Sequence, residues 1–296
     1  MTNQLCANDI RRLFRADNLK AQDERGYTCL HWLVVTGHNR LLYDILQQPN
    51  IDPTIRDAQS MTALDHACKL GRLHMTRTLV QAFPHLLHSR RPSDGRTPLH
   101  FANESLQPSV MVTCLLELGA DINAASTLGR TVLHEAILRG STVEHLGYLV
   151  AYGAHIYARD VHGWTPLHYA AYMGHVDLVE QLLYYGADPQ AADEQGRTPL
   201  HVTAGKVFLK EWDLDVVAAN LECNEATPAL RQATEWSRSL GRRTSSDIVR
   251  LLLQHGARTW ETDKDQNLTV SLAARTGEVD VTYDILRVAA MEGLFG

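Results

Sequence analysis

Along residues 163–188, GWTPLHYAAYMGHVDLVEQLLYYGAD, two apolar patterns follow one another. Leu167, Ala170 and Ala171 share one side of a short helix, and the small residues let a neighbouring element approach closely. Leu178, Val179, Leu182 and Leu183, at i, i+1, i+4 and i+5, mark the buried face of a second, longer helix. Thr165 is placed to cap the first helix. Pro166 fits its first position, where the missing N–H loses no hydrogen bond. Gly163 suits a tight turn at positive φ, and Gly186 suits a helix C-terminus. One such helix pair cannot bury both faces, whereas a stack of copies can.

The copies are present. GYTCLHWLVVTGH begins at 26, SMTALDHACKLGR at 60, GRTPLHFANES at 95, GRTVLHEAILRG at 129 and GRTPLHVTAG at 196. Threonines 28, 62, 97, 131, 165 and 198 mark the register at spacings of 34, 35, 34, 34 and 33 residues. Second halves recur as VTCLLELGADIN, HLGYLVAYGAHIY, LVEQLLYYGADP and IVRLLLQHGART. A further copy from Gln266, QNLTVSLAARTGEVDVTYDIL, keeps Ala273, Ala274 and Gly277 but has lost the threonine, proline, leucine and histidine. This pattern resembles the ankyrin repeat, with its period of about 33 residues and T-P-L-H-x-A helix start.

The resemblance covers roughly residues 22–290 and implies an all-α solenoid of stacked helix-turn-helix units joined by hairpin-like turns. The expected organisation is an N-terminal capping region over 1–25, repeats one to six over 26–266, and a degenerate seventh repeat with a C-terminal cap over 267–296. Within the first region, residues 3–20 read as a helix with Leu5, Ile10, Leu13 and Phe14 apolar. The apolar tail VAAMEGLFG either folds back as a cap or leads into further chain. Repeat six carries an insertion at about 206–243. It is neither Gly/Ser-rich nor uniformly polar, and its segment ALRQATEWSRSL has helical spacing. Three readings stand for it: an exposed loop, an ordered excursion shaping one end of a binding face, or a catalytic or regulatory insert.

Composition narrows the function classes. The chain has 296 residues, 45% hydrophobic and 21% charged, which is a globular balance. A net charge of −6 gives no global reason to expect nucleic acid. The five cysteines, Cys6, Cys29, Cys68, Cys114 and Cys223, are widely spaced and form no CxxC, which fits reduced thiols in the cytoplasm or nucleus. No apolar run reaches bilayer length and the N-terminus lacks a signal-peptide core. No membrane insertion is expected, and the solenoid is expected to be a monomer.

Fifteen histidines raise the possibility of a metal site. His31, His100, His134, His168 and His201 occupy one repeat position, so neighbours stand roughly 10 Å apart, too far to share an ion. The resemblance implies that they hydrogen-bond backbone between repeats. His66, His85, His88 and His155 show no metal-ligand spacing, and neither metal nor cofactor is expected. No nucleophile motif, P-loop or dinucleotide fingerprint occurs, and no catalytic residue is assigned. Asp213, Asp215 and Glu222 in the insertion are the carboxylates an unrecognised activity would use, with Cys223 beside them. RRPS at 90–93 and RRTS at 242–245 offer Ser93 and Ser245 as phosphorylation sites in expected loops.

Partners of ankyrin repeats meet the hairpin tips and the exposed side of the first helix. On that implication Arg96, Arg130, Arg139, His162, Trp164, Tyr172, Met173 and Arg197 are the expected contact residues. Tryptophan, tyrosine and arginine are enriched in binding hot spots, and arginine recognises carboxylate or phosphate with two bonds. The expected function is a non-enzymatic adaptor holding an acidic or phosphorylated protein segment on a concave face. The alternatives are an enzyme or small-molecule binder using the groove and insertion, or the targeting module of a longer protein.

Overall fold

The computed structural model describes residues 19–205, 245–277 and 279–291. The insertion, the tail beyond residue 291 and all but the last two residues of the expected 3–20 helix lie outside them. Among the described residues every regular element is helical, and an isolated bridge joins Thr262 to Leu268. None of these helices is long and apolar enough to cross a membrane.

Helices come in pairs, as the alternating patterns predict. First helices run over Cys29–Thr36, Ala63–Lys69, Pro98–Ala102, Val132–Leu138, Pro166–Met173, Pro199–Ala204 and Thr269–Thr276. Their partners are Asn39–Leu46, Leu73–Ala82, Pro108–Glu117, Val143–Ala151, Val176–Tyr184, a helical stretch over 245–254, and Val279–Met291. A 3₁₀ turn, Pro84–His88, follows the second pair. The chain divides into two compact units, one of Met1–Glu135 with Gly147–Ala154, the other of Ala136–Leu146 with His155–Gly296.

In the first unit, first helices stack on first helices, from Cys29–Thr36 through Ala63–Lys69 to Pro98–Ala102. Second helices do the same. Leu30, Leu33, Leu64, Met75, Leu79 and Leu99 fill the space between. In the second unit, Pro166–Met173 packs on Pro199–Ala204, which packs directly on Thr269–Thr276 although residues 206–244 intervene in sequence. Leu167, Ala170, Ala171, Leu178, Val179 and Leu182 are buried there, which are the positions the periodicity assigns to the core.

The turn glycine has two duties. Gly163 sits at φ 79°, and a Cβ on it would stand 2.9 Å from the Glu194 nitrogen. That close approach lets the Glu194 N–H donate to the His162 carbonyl at 3.0 Å, tying one hairpin tip to the next. The same bond joins Ala58 to Arg25 at 3.0 Å and Thr127 to Asp94 at 2.8 Å. Ser60 and Gln266 occupy the equivalent turn position in their copies and hold positive φ without the glycine.

Candidate functional site

Six of the seven described first helices open on a threonine that pairs with the residue three positions on, whereas Thr269–Thr276 opens on Leu268 without such a cap. In the first copy the Thr28 N–H donates to Nδ1 of His31 at 3.2 Å, and the pair forms a reciprocal capping box. Since a backbone N–H only donates, Nδ1 must carry the lone pair, and the ring proton sits on Nε2. Nε2 then donates to the Met61 carbonyl of the next copy at 3.1 Å. His100 to Arg130, His168 to Arg197 and His201 to Glu261 repeat this inter-repeat bond at 3.0, 3.0 and 3.1 Å. Both ring nitrogens are therefore engaged in the scaffold. Burial pushes all four imidazoles down, His168 to about 4. Among the described residues no group of three His, Cys, Asp or Glu side chains could hold a metal ion.

The second copy departs from this scheme. Asp65 replaces the histidine and accepts from the Thr62 N–H at 2.8 Å, so the cap survives. Its other oxygen is buried without a hydrogen bond, and burial raises its pKa.

A second recurring device is an aspartate at the start of the hairpin. Oδ1 of Asp160 accepts from the N–H groups of His162 and Trp164, holding the turn. Oδ2 is left for a donor nine residues on: Tyr169 for Asp160, His66 for Asp57 and Trp32 for Asp23. Asp193 has Val202 at that position, and its Oδ2 instead accepts Nε1 of Trp164 at 3.0 Å and Nε of Arg197 at 2.8 Å. The Arg197 guanidinium lies over the Trp164 ring, which also meets His168, Tyr169 and Tyr172.

This geometry corrects the expected exposure of several contact residues. Trp164 is 4% exposed, Arg96 6% and Arg130 2%. Trp164 is drawn inward by the Asp193 acceptor and its ring neighbours. Arg96 is drawn inward by Glu104 at 2.8 Å, Glu135 at 3.6 Å and the Phe101 face. A long side chain beside a stacked helix buries its stem, and its charge stays in only because carboxylates meet it. Arg139 and His162 are exposed, while Tyr172, Met173 and Arg197 are half-buried. These five lie in the second unit, whereas Arg96 and Arg130 belong to the first. Ser93 is exposed in a turn beside the Arg91–Asp94 ion pair. Ser245 is buried at the start of a helical stretch, not in the expected loop. Asp213, Asp215, Glu222 and Cys223 lie outside the described residues.

The hairpins also carry a staple that sequence reading missed. Arg56 donates to Ser60 four residues on and to the Arg90 carbonyl of the next copy. Gln22 does the same toward Gly26 and Arg56, Arg90 toward Gly95 and Ala125, and Arg159 toward Gly163 and Ala192. The signal was a Gln/Arg column four or five residues before the turn glycine, visible once the copies are aligned.

Comparison with known proteins agrees with the repeat. The family model described as "Ankyrin repeats (3 copies)" matches residues 30–126, 82–160, 108–193 and 147–211. Human ankyrin repeat domain-containing protein 63 is 32% identical over 120 residues, covering 40% of this chain and 31% of the relative. Human protein phosphatase 1 regulatory subunit 27 is 47% identical over 55 residues, 19% of this chain and 35% of the relative. The NF-kappa-B inhibitor cactus of Drosophila melanogaster is 32% identical over 141 residues, 47% of this chain and 27% of the relative. The chain thus aligns with about a third of the length of each.

Proposed function

The chain belongs to the ankyrin repeat family, and from that premise we propose that it is an adaptor holding an acidic or phosphorylated segment of a protein partner. The all-α repeat fold and relatives named as a phosphatase regulatory subunit and an NF-kappa-B inhibitor support protein–protein interaction as the class of function. The proposed face lies in the second unit and consists of Arg139, His162, Tyr172, Met173 and Arg197. The observation that carries this reading is the ordered cluster beneath it. Trp164 and Asp193 fix the Arg197 guanidinium and the Tyr172 ring in place, so binding need not order them. Arg139 and Arg197 would meet the partner's carboxylates or phosphates, and Tyr172 and Met173 an apolar side chain between them.

Affinity purification from the native cell tests this with Arg139→Ala/His162→Ala, two exposed positions whose loss leaves the core intact. The double variant is expected to lose at least tenfold of the partner recovered by the parent chain. Equal recovery by both would remove this face. Phosphatase treatment of the lysate separates a phosphorylated from a carboxylate-bearing segment.

A further inference from the structure

The last described repeat is uncovered where inner repeats are covered. In repeat five, Ala171, Val179 and Leu183 are buried, Leu183 to 5% exposure. Their counterparts in the last repeat, by register of the two helix pairs, are Ala274, Thr282 and Leu286. Ala274 is exposed, Thr282 half-buried and Leu286 38% exposed. Along Val279–Met291 the buried face is Val281, Ile285 and Ala289. Val279 at 77% exposure, Tyr283, Leu286 and Ala290 form a second apolar stripe at i, i+4, i+7 and i+11, turned about 130° round the helix from the buried face. A helix with two separate apolar stripes is built to be packed on both.

The flank of that stripe carries Asp280 and Arg287, two turns apart on one side of the helix. Neither forms an ion pair with a described residue, in contrast to Asp284, which takes Ser246 and Arg250 at 2.8 Å each. Opposite charges seven residues apart on one flank cannot meet each other along the helix. They can meet across a two-fold axis, because an antiparallel pair centred near Asp284 sets Asp280 of each copy beside Arg287 of the other. That complementarity singles out a second copy of this chain as the occupant.

We propose that the last repeat is a self-association surface, in which two copies join antiparallel through Val279, Tyr283, Leu286 and Ala290, flanked by two Asp280–Arg287 pairs. This departs from the expectation of a monomer. A helix about 20 Å long offers less than the ~800 Å² per partner of a standard interface, so the dimer is weak and concentration-dependent.

Sedimentation equilibrium of the full chain from 10 µM to 1 mM tests the proposal. A concentration-dependent dimer is expected, abolished by Leu286→Asp. Asp280→Arg and Arg287→Glu should each weaken it at least tenfold, and the double reversal should restore it to within threefold. Circular dichroism checks that the variants fold, since all three positions are exposed. A monomer throughout the range would overturn the proposal, as would dimerisation indifferent to these changes or a double reversal that fails to restore it. A monomer whose Val279–Met291 amides still resist hydrogen exchange would overturn it too, placing the chain's own remaining residues over the face.

Discussion

At the scale of single residues, variability between copies is a poor guide to exposure in this protein. The position after the turn glycine reads Tyr27, Arg96, Arg130, Trp164 and Arg197, which is the profile of a recognition column. Three of these, Arg96, Arg130 and Trp164, are buried, two of them against carboxylates: Asp193 for Trp164, and Glu104 with Glu135 for Arg96. Trp164→Ala would leave a cavity and strip Asp193 of one of its donors, and is expected to cost about 3–5 kcal/mol in urea unfolding. Exposed His162→Ala should stay within about 0.5 kcal/mol of the parent chain. Similar midpoints for the two variants would mean that the Trp164 ring is not packed in the core. For the same reason Trp164→Ala is an unsuitable probe of partner binding, since lost stability would mimic a lost contact. The threonines, histidines and apolar periodicity were legible from sequence, because each depends on neighbours at fixed offsets. The fate of Trp164 was not, because it depends on a carboxylate 29 residues away, and nor was that of Arg96, because only the fold brings Glu104 and Glu135 together on its guanidinium.

At the scale of the helix pair and its hairpin, the turn geometry is imposed on copies that lack the residue suited to it. Ser60 holds φ 59° where repeat five uses Gly163. Left-handed backbone costs an L-residue roughly 1 kcal/mol that glycine avoids. Ser60→Gly should therefore raise stability by about 0.5–1 kcal/mol, read as a higher denaturant midpoint at unchanged slope. A lower midpoint would mean that the serine side chain contributes more than the strain. Sequence alignment placed this turn correctly in every copy, since Ser60 lies two residues before Thr62 as Gly163 lies before Thr165. It did not reveal the staples from Gln22, Arg56, Arg90 and Arg159. Arginine in a polar hairpin reads as a solvated charge, and only the fold brings the next copy's carbonyl within reach.

At the scale of the whole molecule, the buried histidines set a direction for stability against pH. His31, His100, His168 and His201 are held below their ordinary value of 6.5, His168 at about 4. Between those values the unfolded chain binds more protons than the folded one, so stability falls as pH drops from about 6.5 toward 4. Asp65, raised by burial, works in the opposite sense, but it is one group against four. The thermal midpoint is expected to drop by roughly 5–10 °C from pH 7 to pH 5. A flat profile across that range would mean that the imidazoles are not held neutral. The Asp193 linkage has a consequence at this scale as well. Trp164 in repeat five and Asp193 in repeat six complete each other, and Val202 leaves Asp193 no donor from its own helix. The two repeats are a matched pair and not interchangeable cassettes. An array shuffled to follow repeat six's hairpin on any other copy would lose the tryptophan and leave that carboxylate with Arg197 as its sole side-chain anchor.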